Sequence, residues 1–198
     1  MNDPRLEHDK ELFCKYNKRF KELWNVCEKF KDYLSGDHKK EAFWQRFLTD
    51  NLGILRTLCP GAQVISQAYV GGKKLDNSGG GVVDFLAHNQ SNGETSLIEI
   101  KTPQTKLISN SGTPSQQLNM AISQALLQRE QYKPNGNTLR DQLSIETHSI
   151  KSFIIIGMMP ESKDKLVSFK RYINNLKDVR IVTFDELYEK CANHFGTC

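Results

Sequence analysis

The chain has 198 residues with a formal net charge of +4, a pI near 8.7 and a mean hydropathy of −0.54. Hydrophobic residues make up 38% and charged residues 25%. This globular balance excludes a disordered chain, and no apolar run approaches the ~20 residues that a bilayer crossing needs. The charge permits an anionic partner without demanding one.

The N-terminus, MNDPRLEHDK, is polar and of mixed charge, so it reads as no signal peptide. The five cysteines, Cys14, Cys27, Cys59, Cys191 and Cys198, are odd in number and form no CxxC. Together these features predict a reducing, cytoplasmic setting and no disulfide framework.

Residues 8–35 read as one long helix. Phe13, Tyr16, Phe20, Leu23, Cys27, Phe30 and Leu34 recur at spacings of three and four, a heptad stripe that must be covered by its own domain or by a partner helix. Gly36 is its expected stop. Asp37 is the expected cap of a second helix, near 38–52, with Glu41, Trp44, Leu48 and Leu52 on one side.

Residues 62–70 read as a strand, and the glycine-rich stretches at 71–72 and 76–81 as turns. Strands follow at 82–87 and 96–101. Asn92-Gly93 between them is a hairpin signal, so the pair is predicted to be antiparallel. Thr102-Pro103 ends the second, because proline lacks a ladder donor. A helix near 115–132 is expected to turn Leu118, Ile122, Ala125 and Leu126 inward, with an irregular stretch at 133–149 after it. An all-apolar strand at 152–158, a helix at 162–175, a strand at 179–183 and a helix at 184–194 complete the chain. The order ααβββαβαβα predicts an α/β sandwich around a mixed sheet. Residues 1–36 read as a helical extension and 37–198 as the main domain.

Motifs for phosphate cradling, the hydrolase elbow and the zincin site are all absent from the sequence. Cys191-x2-His194-x3-Cys198 lacks a second ligand pair and reads as a helix end and tail. What remains is a carboxylate pattern. Acid-x-Lys triplets occur three times, at Asp37/Lys39, Glu99/Lys101 and Glu161/Lys163, where about two are expected by chance. The outer two sit at expected helix starts, where an acid is favoured by the helix dipole.

The middle triplet lies within LIEIK, and Asp84 within VVDFLA. Alternation puts Ile98 and Ile100 on one face of the strand, and Leu97, Glu99 and Lys101 on the other. It also sets Asp84 in phase with Val82 and Leu86. Charges inside apolar strands cost several kcal/mol unless paired or metal-bound. A structural ion-pair group is therefore one reading. The other is a hard-cation site for phosphodiester hydrolysis, in which carboxylates bind Mg²⁺ and a lysine steadies the hydroxide and the developing charge. Glu41 is either a first-turn acid or a further member of that group. Gln124, Gln128 and Tyr132 lie one helical turn apart, which suits a surface face equally well.

These residues resemble the core pattern of the PD-(D/E)XK nuclease superfamily, and within it the Shedu anti-phage defence nucleases. The resembling segments are EAFWQRFLTDNLGIL (41–55), VVDFLA (82–87), LIEIKTP (97–103), AISQALLQREQY (121–132), SFIIIG (152–157) and VRIVTFDEL (179–187). Val83 stands where the pattern often has proline, and only about 40 residues precede Glu41, fewer than family members usually carry.

The resemblance implies a restriction-endonuclease-like core, a mixed β-sheet flanked by helices. It makes Asp84 and Glu99 metal ligands, Lys101 the catalytic lysine, Glu41 the helical acid of the metal site, and Gln124 the glutamine of the following helix. Gln128 with Tyr132 resembles a QxxxY element. On this reading Asp84, Glu99 and the backbone carbonyl of Ile100 face one Mg²⁺, with Mn²⁺ as a substitute, and Glu41 approaches directly or through water.

The implied activity is metal-dependent DNA cleavage in anti-phage defence, by a cytoplasmic homo-oligomer, a tetramer in the implied form. Lys73, Lys74 and Lys106 are loop candidates for phosphate contact. The alternative is a catalytically silent nuclease-like fold that binds nucleic acid or drives oligomerisation.

Overall fold

The computed structural model describes residues 18–71, 81–143 and 145–195. Phe13, Tyr16, Lys73, Lys74 and Cys198 lie outside the described residues. In chain order the elements are α1 (Lys18–Ser35), α2 (Glu41–Asp50), a short α3 (Gly53–Arg56), β1 (Gln63–Gly71), β2 (Gly81–Asn89) and β3 (Glu94–Ile100). Then come α4 (Gln116–Leu143), β4 (Ser149–Ile155), α5 (Lys163–Asn174), β5 (Val179–Val182) and α6 (Phe184–Phe195).

The five strands form one sheet in the order β1-β2-β3-β4-β5. The first three make an antiparallel meander. The hairpin at Asn92-Gly93 forms as its sequence dictates, with Gly93 at φ +65. β3, β4 and β5 are parallel, as they must be when a helix connects each to the next.

Alternating side chains feed a core on each face of the sheet. On one side Phe85, Ala87, Ile98, Ile100, Phe153 and Ile155 pack against residues of α1, α2, α3 and α6. On the other, Ile154, Ile156, Val179 and Ile181 meet α4 and α5 through Leu118, Ala121, Ile122, Ala125 and Phe169. The strands nearer β1 pack Ala68, Val70, Val83, Leu86 and Leu97 around Tyr132 and Ile145. Mixed α/β architecture, a mixed sheet flanked by helices, is therefore the fold.

From Leu23 to Leu34, the heptad stripe of α1 is covered by its own chain. Cys27 and Phe30 are buried in the first core, with Leu23 and Leu34 packed at its edge. The Phe30 ring lies against Trp44, Phe47 and Tyr188 at centroid distances of 6.1, 5.4 and 5.9 Å. Cys27 and Cys191, both free thiols, meet there with sulfurs 2.7 Å apart.

Several local expectations need correction. Asp37 does not cap α2: the helix starts at Glu41 after Lys40, with no side-chain cap, and Asp37 pairs with Lys39 at 3.1 Å in solvent. The chain entry is fixed instead by Trp44, whose indole N–H donates to the His38 carbonyl at 2.9 Å, and by His38 stacked on Phe43 at 4.0 Å. The helix expected at 38–52 is shorter, Glu41–Asp50, and the short α3 at Gly53–Arg56 follows it where the sequence suggested only a passage to the first strand.

α4 does not stop at 132 but runs on to Leu143. Pro134 lacks an N–H, a local cost of about 3 kcal/mol. Leu126, expected inward, is 38% exposed, because the buried stripe follows 118, 121, 122, 125, 128 and 132 and leaves 126 off its face.

If α1 is part of the core, Phe30→Ala should cost about 3–5 kcal/mol, as aromatic truncations in a packed interior do. Urea unfolding read by tryptophan fluorescence measures it. A loss below about 1 kcal/mol would show that α1 is a dispensable appendage.

Candidate active site

The polar groups singled out in the sequence gather at the carboxy end of β3. Glu99 is the centre of the group. It is 3% exposed, and its two oxygens are shared among three donors. Oε1 accepts from Lys101 Nζ at 2.9 Å and from Gln124 Nε2 at 2.5 Å. Oε2 accepts from Gln128 Nε2 at 2.9 Å. The helical spacing of four stacks both glutamines on the side of α4 that faces β3. Gln128 also reaches the Val82 carbonyl at 3.3 Å.

Lys101 lies just past β3, its main chain bonded to Ile155. Its ammonium sits 3.5 Å from Glu41 Oε2 as well, so it bridges β3 to the first residue of α2. Burial acts to lower its pKa, but Glu99, Glu41 and Asp84 outweigh burial and hold the ammonium above the usual lysine range. The loop after Lys101 is pinned by Gly157, whose N–H donates to the Thr102 carbonyl at 3.0 Å. At φ +64, a Cβ there would lie 2.5 Å from the Thr105 carbonyl, so glycine is required.

Asp84 reaches the group by breaking the strand pattern. Pairing of β2 with β3 ends at Phe85 opposite Ile98, and beyond it the Ile100 N–H donates to Asp84 Oδ2 at 2.8 Å. Between β1 and β2, Ser66 pairs with Phe85 and Ala68 with Val83, with Gln67 and Asp84 between them. Ile65 and Ala68 pack in one cluster, and so do Leu86 and Val83. Residues three apart share a face, which regular alternation forbids. Each strand therefore slips one residue in phase, Gln67 adopting φ 51.

This corrects the expectation that Asp84 is in phase with Val82 and Leu86: Leu86 is buried, but Val82 is 44% exposed. Burial first, then the Glu99 and Glu41 carboxylates, pushes the Asp84 carboxyl up from 3.8 to about 7, against the Ile100 N–H and Lys101.

Two supporting residues carried no signal in the sequence. Gln45 of α2 donates to the Asp84 carbonyl at 3.2 Å, and Gln67 reaches Asp84 Oδ1 at 3.5 Å. A single glutamine in an amphipathic helix or a strand is too ordinary to stand out. Tyr132, of the QxxxY resemblance, is fully buried, its hydroxyl 2.6 Å from Thr147 Oγ1. Thr147 continues to Thr95 at 2.7 Å and Thr95 to His88 at 2.9 Å. Lys106 is exposed and makes no ion pair among the described residues.

Residues 38–188 match the family described as Shedu protein SduA, C-terminal. The Shedu protein SduA of Bacillus cereus (strain B4264) is 36% identical over 167 residues, covering 76% of this chain and 44% of that protein. The chain belongs to the Shedu family. It spans less than half the length of that relative. The family match contains every residue placed above in the polar group, from Glu41 to Gln128.

In this Shedu chain the groups able to hold a hard cation are the Asp84 and Glu99 carboxylates and the Ile100 carbonyl. N–H and C=O of one strand residue point to the same edge, so that carbonyl lies on the Asp84 side. Among the described residues no three His, Cys, Asp or Glu side chains converge on one point. Two carboxylates, with water and substrate oxygens, are enough for Mg²⁺. A groove of about 840 Å³ runs from Lys101 and Gln124 along the first turns of α4, past Gln117 and Met120.

The raised Asp84 pKa has a defined sign. The native state binds that proton more tightly than the unfolded chain, so the group's stabilising contribution is complete below about pH 4. It is lost as pH rises to about 7. In EDTA, Asp84→Asn should match the parent at pH 4 and exceed it at pH 8 by roughly 2–4 kcal/mol. Denaturant titrations at both pH values test this. Equal stability of the two proteins at pH 8 would remove the repulsion argument.

Proposed function

We propose that this chain is a metal-dependent nuclease module of PD-(D/E)XK type that hydrolyses phosphodiester bonds of DNA in anti-phage defence. The observation that carries the reading is the buried Glu99 carboxylate, held by Lys101, Gln124 and Gln128 with Asp84 and Glu41 beside it. Three acids around one lysine leave negative charge that a cation would balance. Membership of the Shedu family supports the defence role.

In this reading Asp84, Glu99 and the Ile100 carbonyl would hold Mg²⁺ or Mn²⁺, with Glu41 reached through water. The cation would supply charge to polarise the scissile phosphate and acidify a water. The chain's own contribution is positional. Gln124 and Gln128 fix the Glu99 carboxylate plane, and with Lys101 on Oε1 they leave about one of its four lone-pair sites, on Oε2, for a cation. Lys101, tethered between Glu99 and Glu41, places an ammonium where negative charge develops on the phosphate. The groove past Met120 gives a strand a path to Lys101.

Plasmid cleavage with Mg²⁺, Mn²⁺ or EDTA tests the activity. Cleavage should require a divalent ion, and Lys101→Ala should lower its rate by about a hundredfold or more while leaving DNA binding intact. Wild-type cleavage by that variant would discard the lysine's role. Salt-dependent DNA binding with no cleavage under any ion would favour the silent nucleic-acid-binding module.

The family also suggests a homo-oligomer, a tetramer, and exposed Trp24 and Leu127, at 47% and 53%, are apolar surface available for it. Light scattering at micromolar concentration should give a mass of several chains; a monomer would end the oligomer reading for this chain.

A further inference from the structure

A second cavity, of about 550 Å³, lies at the amino ends of β4 and β5, whereas the carboxylates sit at the carboxy end of β3. Arg129 of α4 and the turn after α5 close it. Buried polar atoms in folded proteins nearly always have a partner. Among the described residues two side-chain atoms are buried without one, Arg129 Nε and Ser152 Oγ. Both residues line this cavity. Ser152 is 2% exposed, so its hydroxyl has no bulk water to turn to.

The charges around the cavity define what would fit. Its acids are already engaged: Asp178 by Arg129, Glu94 by Lys151, and Glu186 by Arg180. Lys177 also lines it and closes no ion pair among the described residues. The groups left over are a guanidinium N–H and a hydroxyl, whose N and O atoms have almost no accessible surface and meet a ligand only when the side chains covering them move, and an exposed ammonium; all three can donate. They call for an acceptor with negative charge and several oxygens. Ile150, Ile173 and Leu176 supply an apolar wall beside them.

We propose that this cavity binds a phosphate-type oxyanion through Ser152, Arg129 and Lys177, free or as the phosphate of a small organic molecule lying on the apolar wall. The site is separate from the Asp84–Glu99 group and does not rest on the nuclease reading. It does share that group's supports. Arg129 follows Gln128, which holds Glu99, and Ser152 pairs with Leu97, two residues before Glu99.

Calorimetric titration of the whole chain in EDTA tests this, with inorganic phosphate, deoxyadenosine monophosphate and deoxyadenosine as probes. Phosphate should bind saturably at one site. Ser152→Ala and Lys177→Gln should each weaken it about fivefold or more, and Lys101→Ala should leave it unchanged. Lys177 is exposed, so its variant keeps the test valid if Ser152→Ala folds poorly. Tighter binding of the monophosphate than of phosphate would assign an organic phosphate as the ligand; equal affinities would assign the free anion.

The proposal is overturned if the parent gives no binding heat, or if both cavity variants bind like the parent. It is also overturned if deoxyadenosine binds as tightly as its monophosphate, or if only Lys101→Ala loses binding. A phosphate-soaked crystal with nothing but water against Ser152 would overturn it as well.

Discussion

One buried carboxylate organises this molecule. Glu99 sits in a strand whose neighbours are apolar, almost without solvent, and an isolated charge there would cost several kcal/mol. Its bonds to Lys101, Gln124 and Gln128 are charge-assisted and worth roughly 1.5–3 kcal/mol each, enough to offset that cost only when all are made. The requirement links elements distant in sequence. α4 must lie so that two of its turns reach β3, and Lys101 must fold back over the strand end, where it also meets Glu41 of α2. The helical layers on the two faces of the sheet are thereby joined at one polar point.

Asp84 shows how the sheet accommodates that point. A regular hairpin would continue the β2–β3 ladder past Phe85 and Ile98. Instead a carboxylate oxygen takes the Ile100 N–H, so the backbone donor stays satisfied while the strands part. The phase slip is shared by β1 and β2, so pairing resumes at Ala68–Val83 without a shift in register. Gln67 carries the strain of that slip at φ 51, a conformation that costs a non-glycine residue on the order of 1 kcal/mol. The same opening places the Glu99 carboxylate close enough to raise the cost of ionising Asp84.

The rest of the fold serves as a rigid mount. Phe30, Trp44 and Phe47 lock α1 and α2 on the face that carries Ile98 and Ile100, which fixes where Glu41 begins. Tyr132, anchored through Thr147 and Thr95 to His88, holds α4 one turn beyond Gln128. Polar chains of this kind inside an apolar layer specify one register of helix on sheet, because any slip would leave several buried groups unpartnered. Among the described residues no helix is long and apolar enough to cross a membrane.

The sequence by itself determined the strand and helix order from β1 onward, the Asn92-Gly93 hairpin, the end of β3 before Pro103, and the opposite facing of Ile98 and Glu99. Each follows from local periodicity or from one residue's backbone restriction, which act over a few positions. It also marked Asp84, Glu99 and Lys101, because charge inside an apolar run is locally improbable. Only the tertiary structure decided that buried Gln128 and exposed Gln124 both reach Glu99, since a glutamine pair at helical spacing suits solvent equally well until a buried acid lies opposite. The same holds for the phase slip at Gln67 and Asp84. In each, a long-range contact outweighs a local preference of a few kcal/mol, and periodicity read along the chain contains no term for a contact made across it.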